Sequence, residues 1–147
     1  MNGYKNFITV QTVIEANIDT VWEKWVTPAD IIKWNNASED WHTPKVENDI
    51  KDGGKFLFRM EAKDGSMGFD FEGIYNFVKP YELIEYSIAD GRKVNITFVS
   101  AGDKSKVIET FETENVHPIE AQRSGWQSIL DNFKKYVESG RSTSKNR

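Results

Sequence analysis

The chain contains no cysteine and only two histidines. The first absence excludes disulfides, thiolate metal sites and a cysteine nucleophile. Two histidines without cysteine give no usable metal-ligand set, so no metal and no other cofactor is expected. A basic excess is also missing: 19 Lys and Arg against 23 Asp and Glu give a formal net charge of −4. That leaves no electrostatic footprint for nucleic acid. No apolar run approaches the length needed to cross a bilayer, and the N-terminus carries no signal-peptide pattern. A cytoplasmic protein that does not insert into membranes is therefore expected. The nucleophile-elbow pattern Gly-x-Ser-x-Gly and the P-loop are absent, and Gly53-Gly54 is too short to cradle a phosphate.

What the chain has is aromatic bulk: five Trp, five Tyr and nine Phe in 147 residues. A chain of this length reads as one domain with a sizeable core. Fewer large aromatics would fill that core, so either the core is unusually bulky or some of these rings line a cavity.

The pattern along the chain orders these rings. Phe7 to Glu15 is rich in β-branched residues and reads as a strand. Asp19 is a suitable N-cap for a short helix carrying Val21, Trp22, Trp25 and Val26, which Pro28 ends while starting a second short helix through Trp34. Asn35 to Pro44 reads as a loop carrying Trp41 and His42, and Val46 to Ile50 as a short strand. Lys55 to Lys63 alternates, with Phe56, Phe58, Met60 and Ala62 on one face. Asp64-Gly65 is a hairpin signal. Ser66 to Val78 then places Met67, Phe69, Phe71, Tyr75 and Phe77 on one face. Gly73 among them marks a bend or bulge, as a curved sheet needs. Three further strands follow, carrying Ile84, Tyr86 and Ile88, then Val94, Ile96 and Phe98, then Val107 and Phe111, with turns at Asp90-Gly91 and Gly102-Asp103.

The last element is a long helix from His117 to Glu138. Trp126, Ile129, Leu130, Phe133 and Val137 form one apolar stripe at steps of three and four. Gly125 interrupts it, at a cost of roughly 1 kcal/mol relative to Ala, and Gln122 lies one turn before Trp126. A missing side chain beside a polar one has two readings: a strand packed closely on Gly125, or a helix face that looks into a space. The predicted architecture is α+β, a curved antiparallel sheet wrapped around the C-terminal helix, with two short helices closing one end. The domain spans residues 7–138, and the polar, Ser-rich 139–147 reads as a disordered tail.

Several residues are candidates for chemistry. If Val107 and Phe111 face inward, strict alternation also turns Glu109 inward, into an apolar space that would raise its pKa unless a partner or ligand satisfies it. The opposite register places Ile108 inside and Glu109 in water. His42 has the intrinsic pKa of a general acid or base, and beside Trp41 it also suits a structural hydrogen bond at a rim. Trp22 and Trp34 read as core. Trp25 and Trp41 lie in segments that would close the open end of a pocket, as ligand contacts or as core.

These segments resemble a known family. The run Val21-Trp22 with Trp25, then Pro28 with Trp34, then Asp40 to Pro44, Gly53 to Tyr75, Thr110 to Glu114 and Gln122 to Glu138 is similar to bacterial proteins related to the activator of Hsp90 ATPase. Those belong to the START/Bet v 1-like (SRPBCC) superfamily of helix-grip domains. The resemblance implies a sheet gripping a C-terminal helix around an internal cavity, in a superfamily whose members bind lipids, sterols, hormones or polyketides and include cyclases.

The expected function is binding of a small hydrophobic or aromatic molecule. The lining would be Trp25, Trp41, Phe58, Met60, Phe69, Phe71, Tyr75, Phe98, Phe111, Gly125, Trp126, Leu130 and Phe133, with Gln122 and Glu109 as polar anchors. One alternative is a cyclase or isomerase using Glu109 or His42 as acid/base. Another is an interaction module with a chaperone partner of the Hsp90 type.

Overall fold

The computed structural model describes residues 6–145, with side chains through Gly140. In chain order the elements are β1 (Phe7–Ile14), α1 (Ile18–Val26), α2 (Pro28–Trp34), β2 (Trp41–Asn48), β3 (Lys55–Ala62), β4 (Gly68–Lys79), β5 (Leu83–Ile88), β6 (Lys93–Ala101), β7 (Lys104–Glu112) and α3 (Ile119–Lys145). The strands form one antiparallel seven-stranded sheet in the order β1-β7-β6-β5-β4-β3-β2. It curls as a half-barrel around α3, giving the α+β helix-grip architecture. Among the described residues no helix is long and apolar enough to cross a membrane.

The sheet's concave face follows from side-chain alternation. Ile84, Tyr86 and Ile88 on β5, Val94, Ile96 and Phe98 on β6, and Val107 and Phe111 on β7 are all buried. Against them α3 buries Leu130, Phe133 and Val137, with Trp126 and Ile129 packed alongside. Polar contacts fix the helix to β1: Lys134 Nζ donates to the Val13 carbonyl at 2.7 Å, and the Glu15 N–H donates to Glu138 Oε2 at 2.9 Å. The short helices close one end of the barrel. Trp25 and Trp34 pack edge-on against Phe133, each at 4.8 Å between ring centroids.

Four details depart from the sequence pattern. The N-cap of α1 is Asn17, whose Oδ1 accepts from the Thr20 N–H at 3.0 Å; Asp19 lies inside the first turn, where its charge favours the helix dipole. Trp41 to Pro44 belong to β2 rather than to a loop. β2 is an edge strand, and its register shifts between His42 and Lys45, which is where a strand tolerates Pro44. On β4 the register shifts between Tyr75 and Phe77, so alternation restarts one residue later. Phe77 turns outward, 42% exposed, opposite Glu85, and Val78 takes the inward place opposite Ile84. Met67 precedes β4 and is 64% exposed, having no strand to turn it inward.

The helix α3 also continues as backbone helix to Lys145, beyond the Glu138 end that the sequence pattern predicts. No proline follows, and Gly140 does not take the left-handed conformation that caps a helix, so nothing stops the ladder there. Residues 146–147 of the predicted tail lie outside the described residues.

Candidate functional site

The sheet and α3 do not meet everywhere. Helix α3 lies against β1, α1 and α2, while the other half of the sheet curls past it and leaves a cavity of about 360 Å³. Phe56, Phe58 and Met60 of β3, Phe69, Phe71 and Tyr75 of β4, Ile84 and Tyr86 of β5, and Ile96 of β6 form one side. Glu109 of β7 lies among them, and Gln122, Trp126 and Ile129 of α3 face them. Trp25, Trp34 and Asn35 close the α1–α2 end; Arg92, Glu114 and His117 come from the connections before β6 and after β7.

Ring contacts set the shape of this space. Trp126 stacks on Phe111 with centroids 4.0 Å apart and planes 13° apart, which fixes the indole against β7. Its edge contact with Phe71, at 6.2 Å, bridges to β4 across the cavity. Phe56 sits edge-on to Tyr86 at 4.8 Å and tilted against Tyr75 at 5.2 Å, which holds these rings in offset and edge geometry.

Most polar groups on the wall already have partners. Tyr75 donates its hydroxyl to Asn48 Oδ1 at 2.5 Å, and Asn48 in turn donates to the Val26 carbonyl at 2.8 Å. Arg92 Nε binds Asp90 at 2.9 Å. Glu114 accepts the backbone N–H groups of Val116 and His117, each at 2.8 Å, and its other oxygen lies 2.5 Å from His117 Nδ1. These bonds hold the Glu114 carboxyl down at about 2. Gln122 is committed to the same connection: its Nε2 donates to the Glu114 and His117 carbonyls, and its Oε1 accepts the Glu114 N–H at 3.0 Å. The side chain predicted to anchor a ligand thus fastens the β7–α3 loop.

Glu109 is different. It is 5% exposed, directly opposite Val10 on β1 and Ile96 on β6, and has no hydrogen-bond or ion-pair partner among the described residues. Burial alone pushes its carboxyl up to about 8. The Tyr86 hydroxyl, buried near it, likewise has no hydrogen-bond partner among the described residues, and burial raises its pKa well above the ordinary value.

Of the residues predicted to line a site, the structure brings together Trp25, Phe58, Met60, Phe69, Phe71, Tyr75, Glu109, Gln122 and Trp126. Others are placed elsewhere. Trp41 lies on the edge strand beside Phe69, with centroids 6.0 Å apart. Phe98 packs on Trp22 and Trp25, while Phe111, Leu130 and Phe133 are fully buried behind the wall. Gly125 is not on the wall, and a Cβ built there meets no atom within 4 Å. His42 is also off the wall, 3.8 Å from Glu61 on the neighbouring strand. Among the described residues no three His, Asp or Glu side chains are grouped as metal ligands would be.

Sequence reasoning left several wall residues unassigned. Phe56, Ile84, Tyr86 and Ile96 were all in the inward phase of their strands, so alternation could have found them. Arg92, Glu114 and His117 lie in connections, where no periodicity indicates direction.

A curved antiparallel sheet closed around a C-terminal helix, with an aromatic-walled space between them, is a helix-grip protein. The chain belongs to the Activator of Hsp90 ATPase homolog 1-like protein family, whose model matches residues 15–138. It is similar to the solution structure of the AHSA1-like protein from Aeromonas hydrophila, at 43% identity over 92% of this chain and 94% of that one, with a TM-score of 0.86. A solution structure from Cytophaga hutchinsonii shares 50% identity over 92% of this chain and 94% of that one, with a TM-score of 0.79. A crystal structure from Chromobacterium violaceum, at 24% identity over 90% and 98% of the two chains and a TM-score of 0.81, shares the fold. No curated protein matches the chain.

Proposed function

We propose that this protein binds a small hydrophobic or aromatic molecule in the cavity between the sheet and α3. The observation that supports this is the cavity of about 360 Å³, walled largely by aromatic side chains, beside the packed hydrophobic core. A ligand seated there gains roughly 25 cal/mol per Å² of apolar area buried, before the costs of association are subtracted. The same burial that lifts the Glu109 carboxyl to about 8 also suits a general acid or base, so turnover of a bound molecule is the second reading.

An NMR titration against lipids, sterols, flavonoid-like aromatics and polyketide-like acids tests it. Shifts concentrated on Phe71, Tyr86, Glu109 and Trp126 are the expected result. Silence across the panel in a folded sample would overturn the reading and direct the search to protein partners.

A further inference from the structure

The wall carries four side chains of the acidic or basic kind: Arg92, Glu109, Glu114 and His117. Arg92 is paired with Asp90, and Glu114 with His117. Glu109 alone has no hydrogen-bond or ion-pair partner among the described residues, its nearest titratable neighbour being Tyr86, and it is also the most deeply placed of the four. No side-chain oxygen is both sealed off and unpartnered among the described residues, so the Glu109 carboxyl opens on the cavity, where a ligand can complete it.

The surroundings of Glu109 narrow what that something is. Aromatic faces crowd the same space: Phe56, Phe71, Tyr86 and Trp126 line it with Glu109. Aromatic faces attract cations through their quadrupoles, and a carboxylate among them supplies the counter-charge. An anionic ligand would keep Glu109 protonated and gain no charge pairing from it, and the Arg92 guanidinium is already held by Asp90 and by the Glu112 carbonyl. We propose that the ligand carries a positively charged amino group, seated between the Glu109 carboxyl and the surrounding aromatic faces, on an apolar body that fills the rest of the cavity. This rests on the reading of the cavity as a binding site.

The proposal has a proton signature. In the empty cavity Glu109 holds its proton below pH about 8. When an ammonium group enters, the carboxyl releases that proton to solvent and the ion pair forms. The other titratable groups on the wall are Tyr75 from β4, Tyr86 from β5 and Arg92 before β6, with Glu114 and His117 after β7; β1, β3, β6 and α3 contribute none.

Calorimetric titration of the full chain with naphthylmethylamine, naphthylmethanol and naphthylacetic acid tests the proposal. The amine should bind at least tenfold tighter than the alcohol at pH 8. Its affinity should fall about 50-fold from pH 8 to pH 6, the change in ionised fraction of a group titrating near 8. Glu109→Gln should remove the amine's advantage over the alcohol. Should that variant not fold, buffers of different ionisation enthalpy report the released proton on the unaltered chain. Equal binding of amine and alcohol would overturn the amine proposal and leave the cavity reading intact. Tighter binding of the acid would overturn it in favour of Arg92. No binding by any of the three would overturn both.

Discussion

Phe56 on β3 and Gly73 on β4 are direct cross-strand partners, and the Phe56 ring covers the place where a side chain at position 73 would stand. A Cβ there would lie 2.8 Å from Phe56 Cζ and would overlap the Ser87 carbonyl oxygen on the other flank. The glycine that the sequence suggested as a bend is therefore also the seat of a wall residue. Gly73→Ala should destabilise the fold by about 1–3 kcal/mol through overpacking, read as a lower midpoint in urea unfolding. A variant with unchanged midpoint would mean that Phe56 has room to move aside.

The other glycine singled out by the sequence has the opposite sign. Gly125 lies inside α3 with open space at its Cβ, so a methyl group there relieves helix entropy without a clash. Gly125→Ala should stabilise by about 0.5–1 kcal/mol, seen as a raised thermal midpoint. A lowered midpoint would show that the position is needed bare.

Glu109 ties stability to pH. The folded chain holds its proton up to about 8, whereas an exposed glutamate releases it near 4.5. Between those values the folded state binds the extra proton, so stability is full below the lower value and is lost as pH rises through the upper one. The loss reaches about 5 kcal/mol at most. Glu109→Gln should therefore flatten the decline between pH 5 and pH 8 in denaturant titrations. Parallel curves for the two proteins would show that Glu109 titrates normally.

Gln122 offers a test of a different kind. Three hydrogen bonds from one buried amide hold the connection between β7 and α3. Gln122→Met should cost about 1–3 kcal/mol because the loop's polar groups lose their partners. Hydrogen exchange should accelerate at the Glu114 amide, whose N–H donates to Gln122 Oε1. Unaltered exchange there would mean the loop is held by Glu114 and His117 alone.

The elements most legible in the sequence were those with strong periodicity. The stripe on α3 and the inward phases of β3, β5 and β6 were readable because one face of each is buried against the others; on β7 two registers stayed open, and the structure has the one that turns Glu109 inside. Two kinds of feature were not readable. The bulges in β2 and β4 are backbone adjustments that cost one residue of phase, so Phe77 and Val78 exchange roles without any change in composition. The partners of Gln122, Arg92 and Glu114 depend on how two loops converge at one end of the cavity, and loop geometry leaves no periodic trace. Gln122 looked like a ligand anchor because its position on the stripe was visible while its hydrogen bonds were not.

The sheet order has a consequence for how the chain is made. β1 pairs only with β7, Phe7 opposite Glu112 and Ile14 opposite Ser105, and its far end is clasped by Lys134 and Glu138. Within this sheet the earliest strand in the chain is thus the one whose only neighbour is the last strand. Until β7 is made both edges of β1 are open to any other extended chain, and in the finished sheet β1 is still an edge strand. Loop closure on that scale also favours slow folding. Cells making this protein quickly would face their greatest aggregation hazard from the β-branched segment Phe7–Ile14 in half-finished chains, long before any cavity exists.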